Sequence, residues 1–232
     1  MSSPSQANNP FTQRGRITNP EYFIGRWREL SLLFDRIETR RPVLINGVPG
    51  IGRSSLITHV VQSAAANFDD PSVAAFYLDL AGVAQPEQIF QTLIAALNGR
   101  GDSLAALELA LIESGRPTVV CLDNAEHALS QAWGERFVEQ MARMARTGAL
   151  MLVVALHGEP PLLSERYAAV TLGAFQPAEI RMLCDTYLEG TNVNFSPSDY
   201  AALAHLSGGH PAYLQRAAFH LFRAKHDPGY NW

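Results

Sequence analysis

Short apolar runs alternate along this chain with longer segments whose apolar residues recur every three or four positions. The runs at 42–46, 73–80, 117–122, 149–156 and 167–172 read as strands. Between them, Trp27, Leu30, Leu33, Phe34 and Ile37 mark one helical face, and 53–66, 86–98, 103–114 and 131–146 read as further helices. Nearly continuous apolar strands separated by helices are what a parallel sheet covered on both faces requires. After residue 172 the strands stop. The stretches 177–189, 198–206 and 211–225 read as three helices, broken by the Gly190-Thr-Asn and Ser207-Gly-Gly-His-Pro211 turns. Residues 1–19, rich in Ser, Pro, Asn and Gln, bury too little to offset the entropy of ordering, so they read as a flexible arm. The expected organisation is an arm over 1–19, an α/β core over 20–172, a helical subdomain over 173–226 and a tail over 227–232.

Between the first expected strand and the next helix stands Gly47-Val-Pro-Gly-Ile-Gly-Arg-Ser54. Its spacing is that of the phosphate-binding loop G-x-x-x-x-G-K-[ST], with Arg53 where Lys is usual. Gly47, Gly50 and Gly52 admit backbone conformations and close approaches that a Cβ would block. The N–H groups along Gly47, Val48, Pro49 (which contributes none), Gly50, Ile51, Gly52, Arg53, Ser54 and Ser55, together with a helix N-terminus, suit a polyphosphate. The Ser54 hydroxyl is an oxygen ligand of the kind Mg²⁺ prefers. Arg offers a planar fork in place of the compact charge of Lys, so binding is expected to survive while turnover falls.

A second polar feature closes the strand at 117–122. Val119-Val-Cys-Leu-Asp-Asn-Ala-Glu126 puts Asp123 at the strand's C-terminal end, where open α/β sheets hold their ligands. Asp123 is suited to hold Mg²⁺, directly or through water. Asn124 cannot take a proton, so any general-base role falls to Glu126.

Composition narrows the setting. The chain has 232 residues and a formal charge of −4, which disfavours nucleic acid as a partner. Neither a signal peptide nor an apolar stretch long enough for a membrane helix is apparent, so cytoplasm is the expected location. Cys121 and Cys184 read as buried, reduced thiols. The seven histidines show no metal spacing.

Taken together, these motifs resemble the AAA+-like and STAND P-loop NTPases, over about residues 19–223. Asn19-Pro-Glu-Tyr-Phe-Ile-Gly-Arg-Trp-Arg-Glu-Leu30 looks like that family's FxGRxxEL opening motif, and Gly208-Gly-His-Pro211 like its G-x-P motif. The resemblance implies an α/β fold of the P-loop (ASCE) type, a three-layer parallel sheet with a C-terminal helical lid. It implies that Phe23, Ile24, Gly25 and Arg26 lie beside the adenine and that Pro211 is a lid contact. His157 would occupy the sensor position, and the usual lid arginine has no counterpart. Arg136, Arg143, Arg146 and Arg166 are candidates for an arginine offered to a neighbour's nucleotide, or else a solvated helix face. The family often shows Asp-Glu where this chain has Asp123-Asn124, which with Arg53 points to weak or lost hydrolysis.

The function expected is an ATP-binding (or ADP-binding) molecular switch with Mg²⁺, its nucleotide held between the phosphate-loop core and the lid. Closure would control self-assembly or binding of a protein partner, in a signalling role. The family's usual effector does not follow the lid, so the effector is expected in a partner or in a longer protein. The alternatives are an active ATPase in which Arg53 replaces Lys, a nucleotide-free scaffold, and a DNA-associated regulator that the net acidity disfavours.

Overall fold

Five strands line up in parallel, in the order β2-β3-β4-β1-β5, in a computed structural model that describes residues 9–158, 166–227 and 229–230. They are β1 (Val43–Asn46), β2 (Ala74–Asp79), β3 (Thr118–Asp123), β4 (Met151–Ala155) and β5 (Ala168–Thr171). Every residue of β1 and β3 is buried, as expected for strands covered on both faces. Register ties the strands tightly: Ile45 stands opposite Ala155 and Val170, and Leu122 opposite Val154. Because all strands run the same way, β1, β3 and β4 end on one edge, and that edge receives the polar residues.

The helices that cover this sheet are α1 (Trp27–Glu38), α2 (Arg53–Asn67), α3 (Pro86–Ala96), α4 (Leu104–Ser114), α5 (Ala125–Leu129) and α6 (Gly134–Arg146). In α1 the stripe Leu30, Leu33, Phe34 and Ile37 is buried, whereas Trp27, expected on the same face, is 53% exposed. Pro86 at the first turn of α3 and a reciprocal Gln85/Gln88 capping box start that helix. The short α5 was not legible in advance. The helix expected from 131 begins only at Gly134, because α5 and its turn occupy the preceding residues. One core cluster of this unit has Phe90, Phe137, Met141 and Leu152 among its buried members, and Leu33, Ile45, Leu56 and Val153 are buried besides.

The chain divides into two compact units. One is Trp27–Pro49 with Arg53–Leu172; the other comprises the described residues of Met1–Arg26, Gly50–Gly52 and Gly173–Trp232. The second contains a 3-10 turn (Pro20–Tyr22) and the helices α7 (Pro177–Leu188), α8 (Pro197–Ser207) and α9 (Pro211–His226). Ser196 caps α8 through the Asp199 amide, and Gly208 ends it in the left-handed conformation.

This division corrects two expectations. Residues 20–26 group with the helical unit and not with the sheet. The expected arm lies outside the described residues over 1–8, but from Asn9 onward it is built into the helical unit. Phe11 is fully buried, stacked on Tyr187 at 5.4 Å and Phe195 at 5.8 Å between ring centroids. The Asn9 side-chain amide donates to the Phe219 carbonyl, and the Arg14 guanidinium lies over the Phe219 ring. One large aromatic ring in an aromatic core outweighs the polar composition around it. Of the expected tail, residues 228, 231 and 232 lie outside the described residues.

Candidate functional site

The loop leaves β1 at Asn46 and enters α2 at Arg53 without an intervening element. Gly50 and Gly52 have φ of +76° and +105°, conformations that L residues rarely adopt. An added Cβ at Gly50 would meet His210 Cε1 at 2.9 Å, whereas at Gly52 it would meet nothing within 4 Å. Gly50 is thus a close approach, and Gly52 borders open space. Val48 is 54% exposed, Pro49 is exposed, Ile51 is buried, Ser54 is half-buried in the first turn of α2, and Ser55 is buried behind it. The Arg53 guanidinium doubles back and donates from Nη1 to the Gly47 carbonyl at 2.9 Å.

On the same sheet edge, Asp123 is 1% exposed at the end of β3. Its Oδ2 accepts from the Tyr77 hydroxyl at 2.6 Å and its Oδ1 from the Asn124 amide at 2.9 Å. One residue past the Leu122–Val154 pair, Asp123 stands level with Ala155, as Ile45 does on the far side of β4. Two strand spacings put the chain at Asp123 and the root of the loop roughly 10 Å apart. Burial pushes the Cys121 thiol far up, and the Asp123 charge adds to the shift, so this thiol is inert within the folded sheet.

The two residues after Asp123 diverge. Asn124 is left-handed, with φ 53°, and its side-chain amide donates to Asp79 Oδ1 at 2.8 Å on the β2 side. Glu126 turns the other way, its Oε2 accepting from the His157 amide at 3.1 Å just beyond β4. Since β4 separates β3 from β1, Glu126 leans toward the strand that carries the loop, and Asn124 leans away. His157 itself is exposed, and it meets Glu126 through its main chain.

The family-derived residues gather in the helical unit. Phe23 is buried, Ile24 packs against the cluster of Phe175, Ile180 and Tyr187, and a Cβ at Gly25 would meet the Phe175 ring at 3.3 Å. Pro211 opens α9 directly after His210, whose ring packs against Tyr213 at a 31° tilt, 4.5 Å between centroids. Arg26 lies in the same unit. It is 3% exposed, its Nη2 donates to the carbonyls of Ile51 at 3.1 Å and Gly173 at 2.6 Å, and its guanidinium lies 4.6 Å from the Phe175 ring centroid.

Three of the candidate partner-facing arginines are engaged within the chain. Arg146 and Arg166 pair with Glu139 at 2.7 and 3.1 Å, and Arg143 approaches Glu108 at 4.0 Å. Partial burial opposes ionisation of Glu139, but the bonds from Arg146 and Arg166 outweigh it and hold its carboxyl below the usual range. Exposed pairs of this kind contribute under about 1 kcal/mol, so a partner could take these arginines over.

Sequence reasoning missed Tyr77 and Asp79. Both lie on β2, where Asp79 pairs in register with Asp123, and that register is not readable from the sequence. A cleft of about 610 Å³ opens at the opposite end of the strands, lined by Val73, Thr118, Met151, Arg40 and Arg116, and it includes none of the expected site residues.

A strand-loop-helix of this spacing, with an acid ending the strand two places away in the sheet, defines the class: a P-loop α/β fold. The comparisons carry this further. The Walker-type ATPase PABY2304 of Pyrococcus abyssi superposes with a TM-score of 0.66 at 16% identity, covering 95% of this chain and 73% of that one. ORC1 of Aeropyrum pernix, solved in complex with DNA, gives 0.63 at 16% identity, covering 88% and 60%. Drosophila ORC bound to DNA gives 0.63 at 18%, covering 94% and 58%. Among curated proteins, the regulatory protein AfsR of Streptomyces coelicolor is 31% identical over a stretch covering 59% of this chain and 17% of AfsR. No family model matches. The chain has the fold of the AAA+ P-loop ATPases. It spans about 60% of the archaeal ORC1 chain and a much smaller part of AfsR. Two of these neighbours hold DNA, so the comparisons lend no support to leaving nucleic acid out. Among the described residues, no helix is long and apolar enough to cross a membrane.

Proposed function

We propose that this chain is an ATP-binding switch of the AAA+/STAND kind, slow or inactive in hydrolysis, that controls self-assembly or the binding of a protein partner in cytoplasmic signalling. The observation that carries the reading is the loop: the positive-φ glycines Gly50 and Gly52, the second of them beside open space, joined to the N-terminus of α2. Such a loop presents main-chain donors and a partial positive charge to an anion. The donor set also fits Mg²⁺: Ser54 and Asp123 are hard oxygen ligands, with Asp123 held by Tyr77 and acting through water, given its burial. When bound, Mg²⁺ would neutralise charge on the phosphates, and Gly47–Ser55 would orient the tail. The regulatory character of AfsR agrees with a switch.

Arg53 supports slow turnover, because its guanidinium is spent on the Gly47 carbonyl and must be released before it can meet a phosphate. A ligand drives a switch only through different affinity for its two states. Here the loop's turn Gly50–Gly52 belongs to the helical unit, so filling the loop acts directly on that unit.

The test is a thermal shift with ATP, ADP and GTP, each with and without Mg²⁺. At a hundredfold excess over Kd, binding stabilises by about 2.7 kcal/mol, a rise of roughly 5–10 °C for a chain of this size. A flat response to every nucleotide at millimolar concentration supports a nucleotide-free scaffold instead.

A second reading, an active ATPase, is favoured by one observation: Glu126 leans toward β4, on the side of the loop-bearing strand. Steady phosphate release that disappears in Glu126→Gln would establish it.

A further inference from the structure

We infer that Arg26 is a positioning residue for the phosphate loop, setting the conformation of Gly50–Gly52 from beneath, and not a contact for the base. This deepens the proposed function and rests on it for the ligand, but not for the loop geometry.

Every group involved lies within one compact unit. Arg26 has φ 65°, a left-handed conformation that is unfavourable for a non-glycine residue and persists only where the surroundings impose it. Its main-chain amide points at Glu179 Oε1, 3.4 Å away. From there the side chain runs inward. One nitrogen, Nη2, serves two carbonyls from distant segments: Ile51 in the loop and Gly173 at the start of the helical region. Phe175 covers the guanidinium face at 4.6 Å. A cation this buried offers a base no face to stack on.

The bond to Ile51 has a specific consequence. A peptide unit is planar, so fixing the Ile51 carbonyl on Arg26 also fixes the direction of the Gly52 N–H, which points the opposite way. Gly52 is the residue with φ +105° and open space beside it. Arg26 thereby turns one loop donor outward, toward where an anion would lie. His210 supports the neighbouring peptide by packing against Gly50. Nothing in this arrangement reads a nucleobase, so its effect should be felt by any polyphosphate.

The experiment compares wild type with Arg26→Ala and Arg26→Lys, using ATP, GTP and inorganic tripolyphosphate as probes. Losing a charge-assisted hydrogen bond predicts that Arg26→Ala weakens all three by a common factor of roughly tenfold or more. Lys retains the charge and can reach one carbonyl, so Arg26→Lys should recover part of the loss for all three alike. Weakening for ATP with tripolyphosphate unaffected would assign Arg26 to the base and overturn the inference, as would unchanged affinity for every probe. Amide exchange of the nucleotide-free variants is the second readout. In both variants Gly50–Gly52 should exchange faster while β1, β3 and β4 keep wild-type protection; unaltered exchange at Gly50–Gly52 overturns the inference. If wild type binds none of the probes, the proposed function falls, and the exchange result still decides the role of Arg26.

Discussion

In the proposed function, Arg53 and Glu126 are the residues that separate binding from turnover. Arg53 donates to the Gly47 carbonyl, closing the loop on itself. A Lys there would keep the charge without the fork, and a compact ammonium leaves the carbonyl more readily. Arg53→Lys is therefore expected to bind Mg-ATP about fivefold more tightly, the factor given by roughly 1 kcal/mol for one hydrogen bond no longer broken on binding. Calorimetric titration reads this, and equal or weaker binding contradicts it. The loop was legible from the sequence because its spacing is local. The settings of Arg26, Asp123 and Glu126 were not, since their partners Ile51, Gly173, Tyr77 and the His157 amide lie between 25 and 147 residues away in the chain.

Elements differ in how openly the sequence declares them. β1 and β3 were plain because burial on both faces demands unbroken apolar runs. α5 was hidden by its length, too short to establish a period. The segment from Asn9 to Arg14 was hidden for another reason: its one large apolar residue, Phe11, has no periodic neighbours, and its partners Tyr187, Phe195 and Phe222 come from the other end of the chain. Phe11 completes the aromatic core of the helical unit. Phe11→Ala should lower that unit's stability by about 3 kcal/mol, as large-to-small changes in a core do. Denaturant unfolding followed by far-UV signal would register the loss, and a change below about 0.5 kcal/mol, the level of an ordinary surface substitution, would mean that the segment is merely laid on the surface. Cys184, in the same core, has its thiol pushed up to about 12, first by burial and then by Asp185, so the change needs no correction for thiolate formation near neutral pH.

For the molecule as a whole, the AAA+ fold brings β1, β3 and β4 to one edge and sets Asn46, Asp123 and His157 there. The parallel topology was foreseeable from alternating apolar runs and helices. The membership of Gly50–Gly52 in the helical unit was not, because no sequence pattern marks a loop whose middle packs apart from its ends. The central claim is that main-chain amides from Gly47 to Ser55 hold a triphosphate tail, and amide hydrogen exchange with and without millimolar Mg-ATP tests it residue by residue. The account predicts slower exchange concentrated at Gly50, Ile51, Gly52, Arg53 and Ser54. Exchange at those amides that nucleotide leaves unchanged, with protection appearing elsewhere or nowhere, would contradict it.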